Sequence, residues 1–122
     1  MIKFKKLTPE ASTPKRATEG SGAVDLVATT ITMTPEYIEY GTGIAVEIPP
    51  GHLGLCAARS SVSKKERMLA NGIGYIDSDY RGEITFRFKL LRVTRQIYKV
   101  GERIGQLTIV PINTEDYEEV RQ

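Results

Sequence analysis

Eleven glycines and six prolines are spread along 122 residues, and this punctuation constrains the fold more than any other feature. Between the breaks there is room for strands but little room for long helices. The intervening runs alternate as strands do. Ile44, Val46 and Ile48 alternate with Ala45 and Glu47 until Pro49-Pro50-Gly51 stops the run. In residues 85–90, Phe86, Phe88 and Leu90 share one face, and Thr85, Arg87 and Lys89 the other. Residues 104–109 form a shorter run ended by Pro111. Residues 29–33 form another, with Ile31 and Met33 on one side. Residues 60–69 break the pattern. They lack period-two alternation, and Ser63 followed by Glu66 matches a capping box, which predicts a short helix. The expected architecture is all-β, a jelly roll or distorted barrel with one short helix. It forms a single domain over 1–122, with 113–122 expected to be a mobile tail.

Composition narrows the chemistry. Cys56 is the only cysteine and His52 the only histidine. That excludes an internal disulfide and argues against multi-cysteine zinc sites, histidine metal sites and histidine-dependent triads. Carboxylates, hydroxyls, arginines, tyrosines or a borrowed ion must carry any catalysis. No apolar run suits a membrane span, and no apolar core follows the charged N-terminus. The expectation is therefore no membrane partner and a cytoplasmic protein, or one of the host-cell cytoplasm or nucleus if viral. A net charge of +2 gives no case for nucleic acid. Arg81, Arg87, Lys89, Arg92, Arg95, Lys99 and Arg103 nevertheless face only Glu83 and Glu102 in residues 81–103. Solvated strand faces explain most of these; a basic cleft for a polyphosphate needs support from other residues.

Four segments carry candidate chemistry. Asp25, in Ser21-Gly22-Ala23-Val24-Asp25-Leu26, reads as a turn carboxylate or as a ligand for a hard divalent cation. Arg59-Ser60-Ser61 reads as helix capping or as an anion site. Asn71 before Gly72 reads as a turn, or as a donor and acceptor facing a base edge, with Gly72, Ile73 and Gly74 suited to close backbone approach. Asp77 and Asp79 read as hairpin-tip acids or as catalytic carboxylates.

These segments, with Ile76-Asp77-Ser78-Asp79-Tyr80-Arg81-Gly82 and Gly101-Glu102-Arg103-Ile104-Gly105-Gln106-Leu107, resemble four of the five motifs of the trimeric dUTP diphosphatase (dUTPase) family. The resemblance covers roughly residues 3–110. It implies hydrolysis of dUTP to dUMP and pyrophosphate by water attack at the α-phosphorus, assisted by Mg²⁺, in a homotrimer. By resemblance, Asp77 is the general base and Tyr80 lies against the deoxyribose, excluding a 2′-hydroxyl. Asn71 reads uracil with Gly72 and Ile76 beside it. Arg59, Ser60, Ser61 and Gln106 take the phosphates, and Asp25 meets the metal through water. Asp79 and Arg103 are expected to have structural parts, Arg103 as an ion-pair partner.

The sequence departs from the family pattern in places. Val24 stands where an aromatic is usual. Gly105 replaces the usual Ala, which reads as a small change. The loop from 59 to 71 is about one residue shorter than in many relatives. The Gly-rich fifth motif is not found among the 122 residues, which leads to the expectation of unusually little gain in affinity from the γ-phosphate. Two other functions compete. One is a nucleotide-binding or regulatory protein on the same scaffold with weak or no turnover. The other is a dCTP deaminase relative, but the position of that family's catalytic Glu is Arg87 here.

Overall fold

The computed structural model describes residues 1–64, 67–91 and 97–122. Its strands are β1 (Lys3–Lys6), β2 (Val24–Val27), β3 (Thr30–Met33), β4 (Ile38–Gly41), β5 (Ile44–Glu47), β6 (His52–Ala57), β7 (Arg67–Leu69), β8 (Gly74–Ile76), β9 (Thr85–Leu90) and β10 (Arg103–Pro111). They form a β1-β5 pair and two four-stranded sheets, β2-β10-β6-β8 and β3-β4-β9-β7. Every strand pairing among the described residues is antiparallel. The jelly-roll-like, all-β expectation is met.

Alternation predicts burial well where a strand is long enough. Phe86 and Phe88 of β9 are each 1% exposed, while Thr85, Arg87 and Lys89 face outward. Leu90 ends that strand and is exposed, and so is Met33 at the end of β3. Arg87 Nε donates to Glu39 Oε1 at 2.8 Å across the strand pair, and its guanidinium lies 4.5 Å from the Tyr37 ring centre. Arg87 thus belongs to an outer sheet face. Arg92 and Arg95 lie outside the described residues.

The helix expectation needs correction. Ser60–Lys64 is a short 3-10 helix, but Arg67–Leu69 is a strand pairing with β9. Arg67 and Leu69 are buried and Met68 is exposed, an alternation spread over three residues only. Pairing with a distant strand decides this segment's structure, which local propensity cannot reveal. Glu66, the acidic partner of the capping box, lies outside the described residues.

Tyr40, Phe88 and Tyr98 form an aromatic cluster with ring centres 5.7–6.1 Å apart. The Tyr40 hydroxyl donates to the Tyr98 carbonyl at 2.8 Å. Burial pushes the Tyr40 phenol up to about 12. The Tyr98 hydroxyl shares a 2.9 Å hydrogen bond with Ser61 Oγ. The 3-10 helix is thereby tied to the core. Residues 113–122 have no regular secondary structure and are exposed.

Candidate active site

Strand β6 organises the candidate residues: Arg59 follows its C-terminal end, and β8 runs antiparallel beside it, with Gly74 opposite Cys56 and Asp77 following Ile76, which is opposite Gly54. At its C-terminal end the chain passes through Ala58 into Arg59 and the 3-10 helix. Gln106 of β10 lies between Asp25 of β2 and Ala57 of β6 in register. Its Nε2 donates to the Ala58 carbonyl at 3.3 Å. Asp25 is only 9% exposed. Its Oδ1 lies 3.3 Å from Arg59 Nε and its Oδ2 3.4 Å from Arg103 Nη1. Its backbone N–H donates to the Lys15 carbonyl at 2.7 Å. One buried carboxylate therefore holds two guanidinium groups in place. The ion-pair part expected of Arg103 is met, with Asp25 as its partner. Ser60 is exposed at the start of the helix, and Arg59 is half-buried. Together these groups present cationic and amide donors on one side of the sheet, a suitable surface for phosphate oxygens.

The second group is built on β8 and the hairpin after it. Gly54 pairs with Ile76, and Cys56 with Gly74. A side chain at Gly54 would press on Ile48 Cδ1 at 2.8 Å, so the strand packs closely only with glycine there. Gly72 has φ of 68° and turns the chain after Asn71. A Cβ on Gly74 would come within 3.2 Å of Asn71 Nδ2. The Asn71 amide thus crosses close to bare backbone. A cavity of about 110 Å³ opens here, with Asn71, Gly74 and Ile76 around it and Cys56, Leu69 and Phe86 among its apolar walls.

A second cavity of about 160 Å³ adjoins it through Tyr75, Ile76 and Thr85, and contains Asp77 and Tyr80. Asp77 and Tyr80 close a turn through the Tyr80 N–H to Asp77 carbonyl bond of 3.1 Å. The Tyr80 hydroxyl donates to the Glu83 carbonyl at 2.8 Å. Its ring folds over Gly82, where a Cβ would lie 2.6 Å from the hydroxyl oxygen. Gly82 makes room for that ring. The Glu83 carboxylate accepts from the Gly43 N–H at 2.8 Å and anchors the hairpin to the β4–β5 turn. Asp77 is exposed, as a carboxylate that meets water must be. Asp79 is exposed as well.

Asp77 and Arg59 lie toward opposite ends of this ladder. Ile76 faces Gly54, and Arg59 lies five residues farther along β6 and its extension. At strand rise this is about 15–20 Å between the Asp77 end and the Arg59 end.

Several residues of the cavities escaped the sequence reading. Cys56, Leu69 and Phe86 are ordinary core types, and only the three-dimensional arrangement puts them beside Asn71. Burial pushes the Cys56 thiol up to about 12, so it stays protonated near neutral pH and is no nucleophile. Gly105 is also not a small change. A Cβ there would overlap Phe86, lying 2.5 Å from its Cζ.

Asp25 suits a metal only in a limited way. Among the described residues no three His, Cys, Asp or Glu side chains form a cluster able to hold an ion. A single carboxylate already bound by two guanidinium groups fits contact through water and does not make a protein cage.

The dUTPase family model matches residues 9–122. The deoxyuridine 5'-triphosphate nucleotidohydrolase of Corynebacterium glutamicum is 40% identical over 130 residues, covering 99% of this chain and 84% of its own length. A mutant dUTPase of Staphylococcus bacteriophage 80alpha with dUpNHpp superposes with a TM-score of 0.85 at 26% identity. That match covers 100% of this chain and 89% of the phage chain. A mutant dUTPase of S. aureus phage phi11, whose structure reveals the coordination of a structural Mg(II) ion, has a TM-score of 0.84 at 24% identity. It covers 100% and 97% of the two chains and supports the fold alone.

Proposed function

The chain belongs to the dUTPase family, and on that premise we propose that it hydrolyses dUTP to dUMP and pyrophosphate at a site shared between subunits. The observation that carries the reading is a pair of neighbouring cavities that share Tyr75, Ile76 and Thr85 as walls, with Asn71 in one and Asp77 and Tyr80 in the other. A pyrimidine in the first cavity would meet the Asn71 amide, which offers both a donor and an acceptor. The adjoining cavity would then take the sugar. The Tyr80 ring, fixed by its bond to the Glu83 carbonyl, leaves no space for a 2′-hydroxyl.

Asp77, as the base, takes a proton from a water that attacks the α-phosphorus in line with the departing pyrophosphate. Ser60 donates to the bridging oxygen as negative charge develops there, and Arg59 and Gln106 hold phosphate oxygens. Ser61 steadies this segment through Tyr98. Ile76 lines the base cavity, and Gly72 turns the chain after Asn71. Asp25 keeps Arg59 aimed and would meet Mg²⁺ through water. Bound with the triphosphate, Mg²⁺ would neutralise phosphate charge.

Asp77 and Arg59 are about 15–20 Å apart by strand register. That backbone separation supports an arrangement in which a chain's base and its phosphate donors serve different α-phosphates. A neighbouring copy supplies the other half, and a homotrimer with three equivalent sites satisfies this. The test combines two measurements. Pyrophosphate release should be fast with dUTP, and slow with dCTP and UTP; light scattering should give about three chains per particle. Ammonia release from dCTP would overturn the activity, and an active monomer would overturn the shared site. Tyr80→Ala should raise relative kcat/KM on UTP by about tenfold. An unchanged UTP ratio would place the sugar gate elsewhere.

A further inference from the structure

Gly105 is a buried glycine in a strand, and its backbone does not need to be glycine. The described glycines with positive φ are Gly43, Gly51, Gly72 and Gly101. Gly105 adopts a conformation open to other residues, so its requirement is space. The atoms occupying that space belong to Phe86 of β9. A Cβ at 105 would overlap the ring edge, 2.5 Å from Cζ and 2.7 Å from Cδ1. Such separations are far inside van der Waals contact, and the Phe86 ring is 1% exposed with little freedom to yield.

Phe86 also forms a wall of the cavity that holds Asn71, whereas Gly105 does not line it. The ring therefore stands between the β10 backbone and the cavity. With no side chain at 105, the ring lies back against β10. With a methyl there, the ring would be driven away from β10, toward the cavity. Cys56, 3% exposed, and Leu69, 4% exposed, pack around the same cavity and limit other escape routes.

We propose that Gly105 is a positioning residue for base selection, setting through Phe86 the depth of the cavity beside Asn71 and hence the size of pyrimidine it admits. The inference rests on the reading of that cavity as the base site. Gly105 touches no substrate and acts only through the ring. Its influence falls on binding of the base and leaves the proton transfer at Asp77 unchanged.

Three variants test it with steady-state kinetics on dUTP and dTTP. Gly105→Ala should raise KM for dUTP by about tenfold, the scale of one methyl in a tight apolar pocket, with kcat within about twofold of the parent. Phe86→Leu added to Gly105→Ala should bring KM back toward the parent value. Phe86→Leu alone should deepen the cavity and raise relative kcat/KM on dTTP, which carries an extra C5 methyl group, by about tenfold. A folded Gly105→Ala variant with parental KM would overturn the proposal. If Gly105→Ala does not fold, an unchanged dTTP to dUTP ratio in Phe86→Leu would overturn it instead. Asn71→Ala separates the two levels. If it leaves KM for dUTP unchanged, the base-site reading fails and this inference with it. If it raises KM while the Gly105 and Phe86 variants do not change selection, only this inference fails.

Discussion

Replacing Asp77 by Asn should lower kcat for dUTP by about a hundredfold to ten-thousandfold, while affinity for dUpNHpp stays close to the parent. The amide is nearly the same size and keeps one oxygen, but it does not accept a proton at neutral pH. Asp77 is exposed and follows β8 directly, so the substitution removes no core packing. Its backbone carbonyl, which accepts from the Tyr80 N–H, is retained. Calorimetry with the analogue and single-turnover kinetics with dUTP separate the two effects. Turnover close to the parent would remove Asp77 as the base. Equal losses in binding and turnover would show that the carboxylate positions the nucleotide.

Asp25→Ala should cause the second large effect, on stability as well as activity. Its carboxylate is nearly buried between Arg59 and Arg103. Truncation leaves two guanidinium groups facing one another without their counter-charge. Removing one partner of a buried ion pair costs about 3–5 kcal/mol. Arg103 is half-exposed and regains water, so the expected loss here is about 2–3 kcal/mol. Urea unfolding at a fixed protein concentration reads it as a lower midpoint. Asp25→Asn keeps an acceptor oxygen and should fall between. Activity should decline too, since Arg59 loses the group that aims it. An unchanged midpoint in Asp25→Ala would show that the two arginines do not depend on this carboxylate.

The parts of the molecule legible in the sequence were those encoded locally. Strand β9 alternates over six residues and can be read directly. Strand β7 has three residues, and its identity comes from β9, about twenty positions away, so its sequence resembled the end of a helix. Asn71, Asp77, Tyr80 and Gln106 belong to motifs whose residue types suggest their chemistry. Phe86 and Cys56 are core residues by type, and nothing local distinguishes them from Phe88. The importance of Gly105 is equally non-local, since it depends on a ring from another strand in the opposing sheet. Asp25 could be recognised as a charged residue in a motif, but its two partners lie 34 and 78 positions farther along the chain.

The length of β6 has a consequence for how activity depends on concentration. If its two ends serve different sites, a single newly made chain is catalytically silent, however well folded it is. Activity then follows mass action in the free chain, falling faster than protein concentration once dilution passes the assembly constant. Specific activity measured across a dilution series should drop together with particle mass. A constant value through dissociation would mean that each chain works alone. A molecule that captures the free chain could suppress turnover without approaching the nucleotide pocket.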